Sequence, residues 1–564
     1  MKYLSTRGGA VGYSFEDAVL EGLSPDGGLF IPESIPTLPA DWAEAWANLP
    51  FADLATRILR LFIDESEIPT ADLAALVAKS YRTFRHPEVT PVRPLGHPAD
   101  RRWVLELFHG PTFAFKDVAL QFLGNLFEYF LERRNQRDAA AHKEEGHLDP
   151  HFITVVGATS GDTGSAAIYG LRNKKNVQVF ILHPKGRVSP IQEAQMTTVL
   201  DPNIHNLAVQ GTFDDCQDIV KALFGNPAFR TKHHLGAINS INWARILAQT
   251  VYYFHSYFAV QRQLREQGHG PANLVYTVPS GNFGDVLAGF YAKQLGLPIQ
   301  RLVVATNAND ILDRFFTTGR YEKSTVTDAA AASAVSETLS PAMDILVSSN
   351  FERLLWYLAR DYAATAGQAQ SGNNNPSVQA GEMVRKWMDQ FKTTGSFTVD
   401  ASIHQVAQQT FGSVAVSDAD TLDTIHRYYR PAGWNGATAT DSSPKQQPQY
   451  LLDPHTAVGV KAAEVMATRH PDVYGPTSRS DAQGRLTYTI CLSTAHPAKF
   501  SAAVTQALTH GDSSAETFQF DDVLPPEFVG LLEKPRRCID VAPGTVEKVK
   551  ETIEETLGPI ETAQ

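Results

Sequence analysis

Phe152-Ile153-Thr154-Val155-Val156-Gly157-Ala158-Thr159-Ser160-Gly161-Asp162-Thr163-Gly164 is an apolar, largely β-branched run that passes at once into a turn rich in glycine and hydroxyl side chains. A helical pattern over 165–171 follows it. An apolar run this short, bounded by glycine, reads as a buried strand rather than a helix. Outward from it the same alternation recurs. Strands are predicted over 103–108, 177–182, 205–209, 274–278 and 303–305, where the run closes. Helices are predicted over 118–131, 191–200, 216–224, 242–264 and 286–295, with shorter helical patterns at 52–62 and 71–81. Buried strands alternating with helices predict an α/β fold with a parallel sheet covered on both faces. Such sheets bind ligands where loops leave the carboxyl ends of strands, so the glycine turns there are the first place to seek a site.

The turn at 157–164 suits an anion. Its glycines let the backbone come close, and its hydroxyls and N–H groups sit at a helix N-terminus. It has neither the lysine of a Walker A loop nor dinucleotide-binding spacing. A second strand–turn–helix unit, Val278-Pro279-Ser280-Gly281-Asn282-Phe283-Gly284-Asp285, can form a phosphate cup from successive backbone N–H groups. A plain connecting turn is the competing reading. Two anion cups in one chain ask for two anions, such as a phosphorylated cofactor and an anionic substrate.

Phe108-His109-Gly110-Pro111-Thr112-Phe113-Ala114-Phe115-Lys116-Asp117 carries a lysine at the start of an aromatic-flanked helix. Apolar flanks and a positive helix N-terminus both lower an amine's pKa, which a nucleophilic lysine needs. The bland alternative is a solvated lysine beside Asp117. Asn239-Ser240-Ile241-Asn242-Trp243-Ala244-Arg245 heads the long predicted helix, with Asn242 and Arg245 on one helical face and Asn239 and Ser240 at the cap. It reads either as an ordinary cap with a surface arginine or as a fork of donors for phosphate or carboxylate. His455 and His496, each beside a proline, are expected to be structural. No H-E-x-x-H spacing or G-x-S-x-G elbow points to a metalloprotease or a hydrolase.

At 564 residues the chain is too long for one core. A net charge of −12 argues against nucleic-acid binding, so positive charge for an anionic ligand must be concentrated locally. The cysteines, Cys216, Cys491 and Cys538, are odd in number and unpaired in spacing, which suits a reducing compartment. The opening residues lack a signal-peptide pattern, and no apolar window is long enough to span a membrane. A cytoplasmic location is expected. Polar, glycine- and asparagine-rich stretches at 366–379 and 433–449 read as surface loop insertions.

Taken together, these segments resemble the threonine synthase family, in its longer, fungal-like form. The likeness begins at Tyr3-Leu4-Ser5-Thr6-Arg7-Gly8 and Gly22-Leu23-Ser24-Pro25-Asp26-Gly27-Gly28-Leu29-Phe30. It continues through the lysine segment, both glycine turns and 239–245 to the motifs Asp453-Pro454-His455-Thr456 and Ser493-Thr494-Ala495-His496-Pro497-Ala498-Lys499. The resemblance implies a fold-type-II pyridoxal-phosphate enzyme with parallel sheets flanked by helices. It further implies an N-terminal domain at 1–95 and a catalytic region at 96–564, within which about 125–245 is a small substrate-binding subdomain. Lys116 matches the Schiff-base lysine. Gly281, Asn282, Phe283, Gly284 and Asp285 match the loop around the phosphate of pyridoxal 5'-phosphate, and Thr456 matches the hydroxyl at its ring nitrogen. Ser160, Asp162 and Thr163 match the loop that meets substrate, although many fold-type-II relatives carry asparagine where this chain has Asp162. Asn239, Ser240 and Arg245 match the site for the substrate's phosphate, with Lys499 as a second phosphate contact. The implied reaction converts O-phospho-L-homoserine and water to L-threonine and phosphate. Its rivals are a phospho-lyase or dehydratase releasing 2-oxobutyrate, and an inactive binding protein of the same fold.

Overall fold

The computed structural model describes residues 1–141, 150–323, 335–366, 375–430, 449–475, 480–509 and 518–558. The chain opens on a short antiparallel pair, β1 (Tyr3–Ser5) and β2 (Phe30–Pro32), and then lays down helices Phe51–Arg60 and Thr70–Tyr81. β3 (Val92–Leu95) and β4 (Arg102–Glu106) begin the larger sheet, with β3 its antiparallel edge. Helix Lys116–Ala141 leads to a second sheet made of β5 (Ile153–Ala158), β6 (Val177–Pro184), β7 (Ile204–Val209) and β8 (Leu235–Gly236). Helix Trp243–Glu266 returns the chain to the larger sheet at β9 (Asn273–Pro279) and β10 (Ile299–Thr306). β11 (Arg320–Glu322) and β12 (Ser396–Thr398) form a small antiparallel pair. β13 (Phe411–Ala415) and β14 (Thr487–Ser493) then complete the larger sheet, and β15 (Ile539–Val541) joins the second.

The six strands of the larger sheet run in the order β13-β10-β9-β14-β4-β3, and the five of the second in the order β15-β7-β6-β5-β8. Apart from β3, all neighbouring strands in both sheets are parallel. The α/β reading therefore holds, with two sheets. The expectation that the run closes at 303–305 does not. β14, late in the chain, lies between β9 and β4, with Ile490 opposite both Tyr276 and Trp103. Non-local pairing of this kind leaves no local signature: β14 reads as one more apolar run.

One cluster of buried side chains extends from Tyr3 to Leu492, so the N-terminal helices share the core of the sheets. Trp42 meets Phe254 and Phe51 meets His255 edge-on along the face of helix Trp243–Glu266. The fully buried Arg353 donates to Phe30 O at 2.9 Å and ties β2 to the middle of the chain. The loop expected over 366–379 is shorter at its C-terminal end. Asn375 caps a helix, Pro376–Thr394, whose proline at its start is preset for helical φ. Residues 367–374, and 433–448 of the second expected insertion, lie outside the described residues.

Candidate active site

A cavity of about 550 Å³ opens where the turns after β5 and β9 meet the head of helix Trp243–Glu266. It is lined by Lys116, Ser160, Asp162, Thr163, Asn239, Ser240, Arg245 and Gly281 to Asp285, which brings together residues from four separate motifs. Thr456 and Lys499 are not on its surface.

Lys116 begins its helix because the preceding turn is braced. Asp117, fully buried, accepts from Thr112 N and Thr112 Oγ1, each at 2.7 Å. Phe115 N donates to Thr494 O at 2.7 Å, which pins the turn against the loop that follows β14. The Lys116 amine is buried, 3.7 Å from Asp162 Oδ2 and 4.9 Å from the centre of the Phe115 ring. Burial lowers its pKa, and Lys499 and Arg245 add to the effect against the pull of Asp162. A larger neutral fraction at ordinary pH is what a nucleophilic lysine requires.

Asp162 sits between two amines. Its Oδ1 is 2.8 Å from Lys499 Nζ and accepts from Gln192 Nε2 at 2.9 Å. Burial pushes its pKa up, but Lys499 and Lys116 outweigh that and hold the carboxyl well below the usual carboxylate range. The expectation that Lys499 is a second contact to the substrate's phosphate does not fit its placement off the cavity surface. Its side chain is wholly buried, and it also donates to Thr112 O at 2.8 Å. Its charge is spent on Asp162.

The turn after β5 is closed by its own Thr159, whose Oγ1 accepts from Gly161 N at 2.9 Å and Gly164 N at 2.8 Å. Gly161 has φ 139°, and a Cβ there would lie 2.5 Å from Gln192 Oε1. Ser160 is exposed at the turn's tip.

The turn after β9 is held from outside. Ser280 N donates to Ala305 O at 2.8 Å, and Ser348 Oγ donates to Gly281 O at 2.7 Å. A Cβ on Gly281 would stand 3.1 Å from Met343 Cα and 3.3 Å from Ala342 O, so the close approach of that backbone depends on glycine. Phe283 turns its ring away, into a cluster with Phe351 at 5.3 Å and Phe411 at 5.8 Å, and offers the cavity its backbone. Asp285, in the first turn of helix Gly284–Leu295, accepts from Tyr252 Oη and from Tyr253 Oη at 3.1 Å. Its Oδ2 has no partner among the described residues, and burial pushes its pKa up to about 7. A carboxyl near half-protonation can donate a hydrogen bond to an anion beside it, where a full carboxylate would repel one.

At the third element the cap is Asn242, with Asn239 and Ser240 ahead of it. Asn242 Oδ1 accepts from Ala244 N at 3.1 Å, and Asn242 Nδ2 donates to Val19 O at 2.8 Å, so Asn242 faces the N-terminal helices rather than the cavity. Arg245 is 3% exposed, and among the described residues the one hydrogen bond of its guanidinium is a long 3.5 Å contact from Nη1 to Ile238 O. Nε is unpartnered, and no carboxylate pairs with the guanidinium among the described residues. Burial pushes its pKa down to about 10, still leaving it charged. A buried, unpaired guanidinium at a cavity wall is costly without an anionic ligand.

Thr456 is fully buried in the first turn of helix Pro454–Arg469. Its Oγ1 donates to Asp453 Oδ2, lies 3.2 Å from Ser493 Oγ and accepts from Thr494 N at 3.2 Å, and Thr494 lines the cavity. Of the two histidines expected to be structural, His455 reaches the cavity wall and His496 does not. His455 Nδ1 is 2.9 Å from Asp453 Oδ1, and its Nε2 accepts from Ala342 N at 3.1 Å. His496 Nδ1 accepts from Ala498 N at 3.2 Å, and burial pushes its pKa down to about 4. Sequence reasoning missed Ser349, Asp344, Gln249 and Thr494 at the cavity wall. Only Thr494 carried a signal, lying in a motif already noted. Among the described residues no cluster of His, Cys, Asp and Glu is placed to hold a metal ion, and no helix is long and apolar enough to cross a membrane.

The donor set fits pyridoxal phosphate. A buried amine stands at one wall, and at another a glycine turn opens a helix beside an orphaned carboxyl oxygen. Residues 84–372 match the family described as pyridoxal-phosphate dependent enzyme. Residues 2–81 match the description threonine synthase N terminus, and 456–553 the description threonine synthase, C-terminal. The chain is 51% identical to the threonine synthase of Schizosaccharomyces pombe, over 99% of its own length and 98% of the relative's. It is also 51% identical to that of Saccharomyces cerevisiae, over 96% and 95%. The crystal structure of threonine synthase from yeast superposes with a TM-score of 0.83 at 49% identity, covering 99% of this chain and 98% of that one. A pyridoxal-phosphate-bound threonine synthase from Brucella melitensis gives 0.77 at 36%, covering 99% of each chain. The fold and site are thus those of a pyridoxal-phosphate-dependent lyase. Within that class the chain belongs to the threonine synthase family.

Proposed function

We propose that this chain converts O-phospho-L-homoserine and water to L-threonine and phosphate, the closing step in making that amino acid. The observation that carries the reading is a single cavity joining a buried lysine of lowered pKa, a glycine turn at a helix N-terminus and a buried guanidinium without a carboxylate. The glycine turn at 279–285 suits the cofactor's phosphate, and the head of helix Trp243–Glu266, with Arg245, suits the substrate's.

Pyridoxal phosphate, when bound, supplies the electron sink that lets protons leave carbons near the amino group. Lys116 anchors the cofactor and, with its amine free, moves protons at the substrate's Cα, for which its lowered pKa leaves it partly neutral. Asp162 orients that amine from 3.7 Å, while Lys499 offsets the carboxylate's charge, so that Lys116 is positioned without being locked as an ammonium. Gly281 to Gly284 offer backbone N–H groups to the cofactor's phosphate, with Asp285, its pKa raised by burial to about 7, as a neighbour. Asn239, Ser240 and Arg245 hold the substrate's phosphate, and the guanidinium meets the charge that grows as it departs. Ser160 and Thr163 meet the substrate's carboxylate end. Thr456 serves the ring nitrogen, for which its hydroxyl must give up its bond to Asp453. β5 to β8 of the second sheet form the substrate-binding body at about 125–245, with β15 joining from the end of the chain, after an N-terminal portion of 1–95. Unpaired cysteines support a reducing, cytoplasmic setting.

The test is incubation of the cofactor-loaded protein with O-phosphohomoserine and identification of the products. Threonine and phosphate in equal amounts are expected. Phosphate with 2-oxobutyrate instead would make the chain a phospho-lyase, and no phosphate at all would make it an inactive relative.

A further inference from the structure

Between two anion-binding turns, the glycine turn at 279–285 and the cap turn at 239–242, runs Ser348-Ser349-Asn350, a segment that neither turn's sequence announces. Asn350 Nδ2 donates to Ser240 O and to Asn282 O, each at 3.0 Å, and Asn350 N donates to Asn282 O at 3.0 Å. Behind it Arg353, fully buried, donates to Asn350 Oδ1 at 2.5 Å and to Ile241 O at 2.7 Å. The backbones of both turns are thereby stapled to one segment.

The side chain of Ser349 does something different. It lines the cavity, donates to Asn282 Oδ1 at 3.0 Å and lies 2.9 Å from Ser240 Oγ. A hydroxyl has a single proton to give. With the Ser349 proton on Asn282, the proton between the two serines belongs to Ser240. Ser240 then presents only lone pairs to the cavity, and lone pairs repel an anion. To donate to a phosphate, Ser240 must swing its O–H away from Ser349. Ser349 is then free to turn its own proton onto Ser240 Oγ, which releases Asn282. With the backbones stapled, proton orientation is the free variable.

We propose that Ser349 is a positioning residue that couples the two anion-binding turns through this one-proton chain, so that a phosphate at Ser240 and the hydrogen bond that holds Asn282 compete. The inference rests on the assignment of Asn282 to the cofactor and Ser240 to the substrate's phosphate. Removing the hydroxyl therefore has effects of opposite sign at the two sites. Ser240 is freed to donate, and Asn282 loses its donor. A merely structural serine would weaken both.

The experiment compares parent, Ser349→Ala, Ser349→Thr, Ser240→Ala and the Ser240→Ala/Ser349→Ala double variant. Two quantities are read: the dissociation constant of pyridoxal phosphate from absorbance titration of the cofactor-free protein, and the competitive inhibition constant of inorganic phosphate on the holoenzyme. In Ser349→Ala the cofactor constant is expected to rise and the phosphate constant to fall, each about threefold, the scale of one neutral hydrogen bond. Ser349→Thr, which keeps a hydroxyl, should match the parent in both. In the double variant the phosphate constant should equal that of Ser240→Ala alone, because the gain acts only through Ser240. If Ser240→Ala weakens phosphate while Ser349→Ala weakens or leaves unchanged both constants, the coupling is overturned and the site map stands. An unchanged phosphate constant in Ser240→Ala overturns the site map and the coupling with it.

Discussion

The turns after β5 and β9 look alike in sequence, each a strand, a glycine turn and a helix, yet they are built differently at their tips. Both are tied to the neighbouring strand, by Thr159 N to Leu182 O and Ser280 N to Ala305 O, and Gln192 and Lys499 hold Asp162. The tip of the turn at 157–164 is braced from within, with Thr159 Oγ1 taking two of its own N–H groups while Ser160 stays exposed. The turn at 279–285 is clamped by others: Ala305, Ser348, Ser349 and Asn350 all bond to it, and the Phe283 ring is locked among aromatics. A self-braced turn with an open tip suits a ligand that enters and leaves at every cycle. A turn clamped from several elements suits a ligand that stays. The difference supports the proposed division between substrate and cofactor where composition does not, because both turns contain glycine and hydroxyl side chains.

The comparison can be broken most forcefully at the substrate side. Arg245→Leu removes the unpaired guanidinium, and a charged hydrogen bond is worth roughly 1.5–3 kcal/mol, so kcat/KM for phosphohomoserine should fall at least about tenfold. Cofactor affinity, measured by absorbance titration, should stay within about twofold on that same scale. An equal loss in both would mean that the two anion sites are not separate.

A smaller effect tests the clamp itself. Gly281→Ala places a methyl 3.1 Å from Met343 Cα, a contact that backbone must yield to accommodate, and should weaken cofactor binding several-fold. Gly161→Ala meets a flexible side chain, Gln192, but strains a φ of 139°, and should raise KM with little change in cofactor affinity. Reversal of the two patterns would reverse the assignment of the turns.

The smallest effect concerns acid. The Asp162 carboxyl is held below its unfolded value of about 3.9, mainly by Lys499 and Lys116 acting against burial. A depressed folded pKa contributes stability that is complete above the unfolded value and is lost as pH falls toward the folded one. The melting temperature of the parent should therefore drop more steeply below about pH 4 than that of Asp162→Asn. Parallel curves would show that the ion pair does not govern acid stability.

Much of the fold was legible because its units are local. The strand–turn–helix stretches around 153–171 and 273–295 carry apolar periodicity and glycine punctuation within some twenty residues of each other. The insertion of β14 between β9 and β4 was not legible, since it pairs residues more than two hundred positions apart. The same limit explains the errors at the site. The resemblance implies a phosphate contact for Lys499, and only the fold shows that Asp162 already claims its amine at 2.8 Å. Asn242 is expected to share a helical face with Arg245, but its partner Val19 O lies in the N-terminal region. Ser349 offered no signal, because a serine without glycine neighbours becomes functional only through Asn282 and Ser240.

The central claim is that Lys116 carries the cofactor. Borohydride reduction of the cofactor-loaded protein, followed by digestion and mass spectrometry, tests it directly. The prediction is a single pyridoxyl-modified peptide containing Lys116, with loss of visible absorbance in step with labelling. Modification of Lys499 or any other lysine, with Lys116 left bare, would contradict the account.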